Sequence, residues 1–142
     1  MASPAPTSPA PSRRRQLQVL GIWAAVIFIL SVIPVGVPGP DLFIPRDLLA
    51  HGVFYAPLAA LFLWTFPSGP RPWVWARAAL AAALFGGGIE IVQAFIPYRD
   101  CSMFDALADL IGAMTGAAFA LAFPRLPQWL WRPLGRPLPK DI

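Results

Sequence analysis

The stretch GGGIEIVQAFIPYRDCSMFDALADLIGAMTG, Gly86–Gly116, joins two apolar segments and carries Glu90, Arg99, Asp100, Asp105 and Asp109 in or beside them. A charged side chain at bilayer depth is costly unless paired or hydrated, so such groups face a bundle interior or a wet cavity. Gly112 and Gly116 form a GxxxG that Ala108 and Ala120 extend into a stripe of small residues, the pattern of close helix packing. The stripe continues directly from Asp105 and Asp109, so both acids are expected to point into the bundle. Gly86–Gly88, below Glu90, is expected to let a neighbouring helix approach.

Outward from this stretch the chain reads as a multi-pass membrane protein. Of its 142 residues, 57% are hydrophobic and 13% charged, too little charge to cover a soluble domain of this size. Apolar runs at Leu17–Ile33, Leu48–Phe66, Trp73–Ile96 and Phe104–Phe123 each approach the ~20 residues a helix needs to cross a bilayer core. Segments of that length in lipid must be helical, because no water is present to satisfy their backbone groups. The fold class is therefore all-α, a four-helix transmembrane bundle over residues 17–123. Residues 1–16 read as a disordered N-terminal tail and residues 124–142 as a basic C-terminal tail. The first run follows Arg13–Arg15 but lacks a small-residue cleavage site, so it reads as a retained span rather than a signal peptide.

Basic residues give the orientation. Arg13, Arg14, Arg15, Arg71, Arg77, Arg125, Arg132, Arg136 and Lys140 fall on one side of the four-span layout, and only Arg46 and Arg99 on the other. The positive-inside rule then puts both termini in the cytoplasm. Trp64, Trp73, Trp75, Trp129 and Trp131 fall near that same face, as an interfacial belt. The net charge of +4 is too small and too scattered for a nucleic-acid groove. Cys101 is the only cysteine, which excludes an intrachain disulfide and a cysteine-based metal site.

With this topology the buried polar residues converge. Asp47, His51 and Tyr55 share one side of the second helix, Gly86, Glu90 and Gln93 one side of the third, and Asp105 and Asp109 one side of the fourth. At 1.5 Å per residue, His51, Glu90 and Asp109 lie roughly 6–10 Å below the same outer boundary. Asp47 and Arg99 sit at that boundary. The candidate catalytic residues are His51, Glu90 and Asp105; the candidate ligand-binding residues are Asp47, Tyr55, Gln93, Arg99 and Asp109.

An excess of carboxylates beside one histidine can share protons, bind a divalent cation or meet a cationic ligand group. Carboxyls that are buried and crowded by other acids favour holding protons, which suits general acid/base chemistry beside a histidine. Ser102 is a weak candidate nucleophile. No phosphate-cradling loop or zinc spacing is present. A purely structural network, with Glu90 bonded to His51 and Arg99 paired with Asp105, is the alternative.

The segment DLLAHGVFY (Asp47–Tyr55) together with Gly86–Gly116 resembles the VanZ-like family of small bacterial membrane proteins. Its pattern is Asp-Lys-x-x-His-x-x-x-Tyr, then Gly-x-x-x-Glu-x-x-Gln and Pro-x-Arg, followed by Asp, Asn and two Gly. The matching positions are Asp47, His51, Tyr55, Gly86, Glu90, Gln93, Pro97, Arg99, Asp105, Gly112 and Gly116. Leu48 replaces the usual Lys, and Asp109 the usual Asn. The family's namesake is associated with resistance to the lipoglycopeptide teicoplanin. The resemblance thus implies a bacterial inner-membrane protein, with an amphipathic ligand (lipid headgroup, lipid-linked wall precursor or lipoglycopeptide) at a site in the outer leaflet. The rival readings are a partner-binding or structural bundle, and a small proton-coupled transporter that would have to dimerise.

Overall fold

The computed structural model describes residues 12–34, 45–99 and 102–123. They form four α-helices, α1 (Arg13–Val32), α2 (Arg46–Thr65), α3 (Arg71–Gln93) and α4 (Met103–Ala122). All four are long and apolar enough to cross a membrane. The all-α four-helix bundle expected from the sequence is the observed fold. The termini beyond these helices, with Trp129 and Trp131 and most of both tails, lie outside the described residues, as do Asp100 and Cys101.

Helix ends follow local chemistry. Ser12 accepts a hydrogen bond from the Arg15 N–H at 3.4 Å, so α1 takes in Arg13–Gln16, which composition alone places in the tail. The third helix stops at Gln93, three residues before the apolar run ends. Phe95 and Ile96 donate to carbonyls three residues back, tightening the chain ahead of Pro97. Inside α2, Pro57 has no N–H to offer the Val53 carbonyl. One residue on, the Trp23 indole of α1 donates to the Phe54 carbonyl at 3.0 Å.

The most extensive helix contact joins α2 and α4. These helices run parallel: Gly52 meets Gly112 and, one turn on, Ala56 meets Gly116. A Cβ at Gly112 would lie 2.7 Å from the Gly52 Cα, and one at Gly116 2.5 Å from the Ala56 Cα, with overlap onto the carbonyl oxygens as well. The backbones are thus in direct contact, and the GxxxG pattern does what its spacing predicts. Helix α3 packs against α4 and α2, and α1 lies peripherally against α2 and α3. Within α1 only Gln16 and Ile27 are buried.

The N-terminal ends of α2 and α4 share one end of the bundle with the C-terminal ends of α1 and α3. At the opposite end, Gln16 donates to the Trp64 carbonyl at 3.4 Å and Arg71 to the Leu121 carbonyl at 2.6 Å. Arg13 lies over the Phe66 ring there, 5.1 Å from its centroid.

Candidate polar site at the end of the bundle

The α2–α4 contact fixes the site. Because the two backbones touch at Gly52 and Gly112, His51 and Asp109, each on the same flank of that seam, face one another. His51 Nδ1 lies 2.8 Å from Asp109 Oδ1, a hydrogen bond in which the carboxylate accepts and Nδ1 carries the proton. The other ring nitrogen, Nε2, faces Asp105 Oδ2 at 3.7 Å, an ion-pair rather than a hydrogen-bond distance. The histidine therefore stands between two aspartates of successive turns of α4. Asp109 is 1% exposed, whereas the Asp105 side chain retains 22% and that of His51 17%, so the row runs from a sealed interior toward an open end.

Gly86 makes room for the sealed end. A Cβ there would lie 2.5 Å from Asp109 Oδ2, 3.1 Å from Tyr55 Cε1 and 3.2 Å from the Tyr55 hydroxyl. The glycine is needed by side chains of two other helices, not by an approaching backbone. Gly87 and Gly88 face open space, so the expectation for the triplet reduces to one residue with a different task. Tyr55 is 1% exposed, and its ring stacks beside His51 at 6.4 Å between centroids. Its hydroxyl is directed to the Asp109 carboxylate without meeting full hydrogen-bond geometry.

Glu90 is 6% exposed and turned inward. Its Oε2 accepts the Ser102 N–H at 2.8 Å, while Oε1 has no donor among the described residues. Ser102 is the N-cap of α4, its hydroxyl accepting the Asp105 N–H at 3.3 Å. In an ordinary capping box the acidic residue three positions on would reach back to the N-cap N–H. Here Glu90 of another helix takes that N–H, which leaves the Asp105 carboxylate free to face His51. The serine considered as a nucleophile is thus a helix cap. Glu90 also lies within electrostatic reach of His51 and Tyr55. Asp47 is exposed in the first turn of α2, within electrostatic reach of Asp105.

Gln93 and Arg99 go elsewhere. A helix leaves its last carbonyls without intrahelical donors, and those of α1 are met by the end of α3 and the turn after it. Arg99 donates to the Leu30 carbonyl at 3.2 Å and to that of Ile33, Gln93 to Ser31 at 2.9 Å and Tyr98 to Val32 at 2.8 Å. The guanidinium also meets the negative end of the helix dipole. The pairings of the purely structural alternative, Glu90 with His51 and Arg99 with Asp105, are not the ones formed. Tyr98 was missed by sequence reasoning, since an exposed tyrosine beside a proline gives no signal of a carbonyl 66 residues away.

A family model for VanZ/LLP1 proteins matches residues 17–124, most of the chain and all four helices. The chain belongs to the VanZ/LLP1 family. An uncharacterized protein of Schizosaccharomyces pombe is 32% identical over 101 residues, 67% of this chain. This chain spans 57% of that protein's length. The similarity reaches a yeast, so the family is not confined to bacteria. No solved structure matches the chain.

Within this VanZ-family bundle, the two departures noted in the sequence have different surroundings. Leu48 sits on α2 at the apolar side of the α2–α4 seam, away from His51. Asp109, where the family pattern has Asn, is the hydrogen-bond partner of His51. Either residue offers an oxygen to Nδ1–H, and only the aspartate adds a charge. Among the described residues, no three His, Cys, Asp or Glu side chains surround a position that could hold a metal ion.

Proposed function

We propose that this VanZ-family protein resides in a bacterial cell membrane with both termini in the cytoplasm. Its polar end then lies in the outer leaflet, where it binds or processes an amphipathic cell-envelope ligand and lowers susceptibility to teicoplanin-type lipoglycopeptides. The observation that carries this reading is the Asp109–His51–Asp105 row. A buried aspartate fixes the imidazole through Nδ1 and leaves Nε2 directed to the partly open side. An imidazole held in that way has one nitrogen committed to orientation and the other available to accept or deliver a proton. Asp105 next to it can receive a cationic or hydroxyl group of a ligand.

The test is teicoplanin survival of bacteria expressing the protein. His51→Gln keeps the size and polarity of the residue but not its titration. We expect protection to vanish while the yield of folded, monodisperse protein is unchanged. Full protection by this variant would overturn the reading. The orientation has its own check: Cys101 should react with a membrane-impermeant maleimide in intact cells. Labelling only after permeabilisation would put the site on the cytoplasmic side and remove the envelope ligand.

A second reading, a structural bundle, is favoured by the bonds of Gln93, Tyr98 and Arg99 to α1. It accounts for those residues and not for a histidine held between two carboxylates.

A further inference from the structure

The seam that positions His51 has a second side. On the flank facing away from the bundle interior, α2 and α4 leave a groove of about 440 Å³ lined almost entirely by carbon. Gly52 and Gly112 are its floor, because two backbones in contact have no side chains with which to fill it. Val53, Leu107 and Ile111 are its walls, each more than half exposed. On α4 the lining runs from Phe104 to Thr115, about 16 Å at the helical rise. One leaflet of a bilayer's hydrocarbon core is about 15 Å deep. The groove is therefore as long as one leaflet, and it opens at the end of the bundle where Phe104 is followed by Asp105.

At that opening the charges are mostly of one sign. Asp105 faces His51, Asp47 lies within electrostatic reach of Asp105, and the inward Asp109 and Glu90 add to the acidic field; His51, Arg46 at the start of α2 and Arg99, bonded to the end of α1, are the basic groups at this end. The inward-facing Glu90 Oε1, nine-tenths buried, accepts from nothing described. The first turn of α2, by contrast, has no side-chain cap on its N–H groups, an arrangement suited to a phosphate.

Resting on the reading of the polar end as a ligand site, we propose that the groove holds one acyl chain of an amine-bearing phospholipid from the same leaflet. The headgroup rises over the N-terminal ends of α2 and α4 and places its ammonium group at Asp105 and Asp47. A primary ammonium brings both a positive charge and N–H donors to these carboxylates. A methylated choline brings the charge without the donors, and a glycerol headgroup leaves the lipid anionic against the acidic field.

Native mass spectrometry of the detergent-purified protein, doped with equal amounts of phosphatidylethanolamine, phosphatidylcholine and phosphatidylglycerol of identical acyl chains, tests this. One phosphatidylethanolamine should be retained about tenfold over either competitor, the factor a charge-assisted hydrogen bond supplies. Asp105→Asn should abolish the headgroup preference while a lipid is still retained. Leu107→Trp, which fills the groove from an exposed position, should abolish retention with the helical circular dichroism unchanged. Should that variant fail to fold, Val53→Trp fills the groove from the facing helix. Equal retention of the three lipids, retention that survives the tryptophan, or a dimer carrying no lipid would each overturn the proposal. Loss of lipid selectivity alongside His51-dependent teicoplanin protection defeats this inference alone; selective lipid retention with a fully protective His51→Gln defeats the functional reading alone.

Discussion

Helices α1 and α4 are both held against α2, by opposite means. Helix α4 lies with its backbone on that of α2, through Gly112 and Gly116, and buries Ala108, Asp109, Ala113 and Ala117 as well. Helix α1 buries two residues and is tied by polar bonds, to α2 through Gln16 and Trp23 and to the end of α3 and the turn after it through Gln93, Tyr98 and Arg99. In lipid there is no hydrophobic force to bring two apolar helices together, so association rests on close packing or on hydrogen bonds. This protein uses one solution on each side of α2. A polar residue in a membrane helix therefore has to be sorted by what it faces. His51 and Asp109 face each other across a rigid seam, whereas Gln93 and Arg99 serve the end of a loosely packed helix.

The α2–α4 seam is expected to be the most sensitive part of the molecule. Gly112→Leu puts a branched side chain where the Gly52 backbone stands, and overpacking of that kind costs about 1–3 kcal/mol or more. We expect little or no monodisperse protein by size-exclusion chromatography. Leu at the α1 position Gly21, where a Cβ meets nothing within 4 Å, should leave the yield unchanged. Equal yields from the two would mean that the α2–α4 contact does not hold the fold.

Next in size is the buried pair. Asp109→Ala leaves the His51 Nδ1–H without its acceptor, and an unsatisfied buried donor costs about 1–3 kcal/mol. The melting temperature in detergent should fall sharply and protection against teicoplanin should be lost. Asp109→Asn keeps an acceptor oxygen at the same place and matches the residue usual in the family pattern, so it should preserve both. Glu90→Gln, also carboxyl to amide, still offers one oxygen to Ser102 and should lower protection with little change in melting. If Asp109→Asn and Glu90→Gln behave alike, the two acids do not have the separate tasks assigned to them.

The clasp should give a smaller, local effect. Arg99→Gln removes a cation from the end of α1, worth about 1–2 kcal/mol in a partly buried setting. Hydrogen exchange should quicken over the last turn of α1 while the amides of α2 and α4 keep their protection. Faster exchange in α4 would show that Arg99 supports the site after all. Smallest is Tyr98→Phe, which deletes one hydrogen bond to Val32, about 1 kcal/mol; its exchange pattern should resemble that of Arg99→Gln in place and be weaker in degree.

How far the site was legible follows the same division. His51, Asp105 and Asp109 could be grouped from sequence because helical periodicity and span depth suffice to bring stripes on parallel helices to one level. Gln93 fitted the same periodicity and Arg99 the same depth, yet both bond to α1. Periodicity gives the face of a helix, not the neighbour that the face meets. Glu90 is turned inward, as its place on the helix implies, but its partner, the Ser102 N–H, is a backbone group that no side-chain pattern displays. Gly86 was assigned to helix approach because glycine spacing looks the same whether a backbone or a carboxylate needs the space.

The four helices, their all-α membrane character, the small-residue stripe on α4 and the polar residues at one end of the bundle are legible in the chain before it folds. Those features rest on hydropathy, helical period and the cost of unpaired backbone groups in lipid, which are properties of each segment alone. Tertiary structure decided which atoms meet: that His51 bonds to Asp109 and faces Asp105, that Glu90 frees Asp105 by taking the cap N–H of α4, and that Arg99 closes α1. These depend on the direction in which helices cross and on distances of a few ångströms between residues far apart in the chain, and no segment encodes them separately.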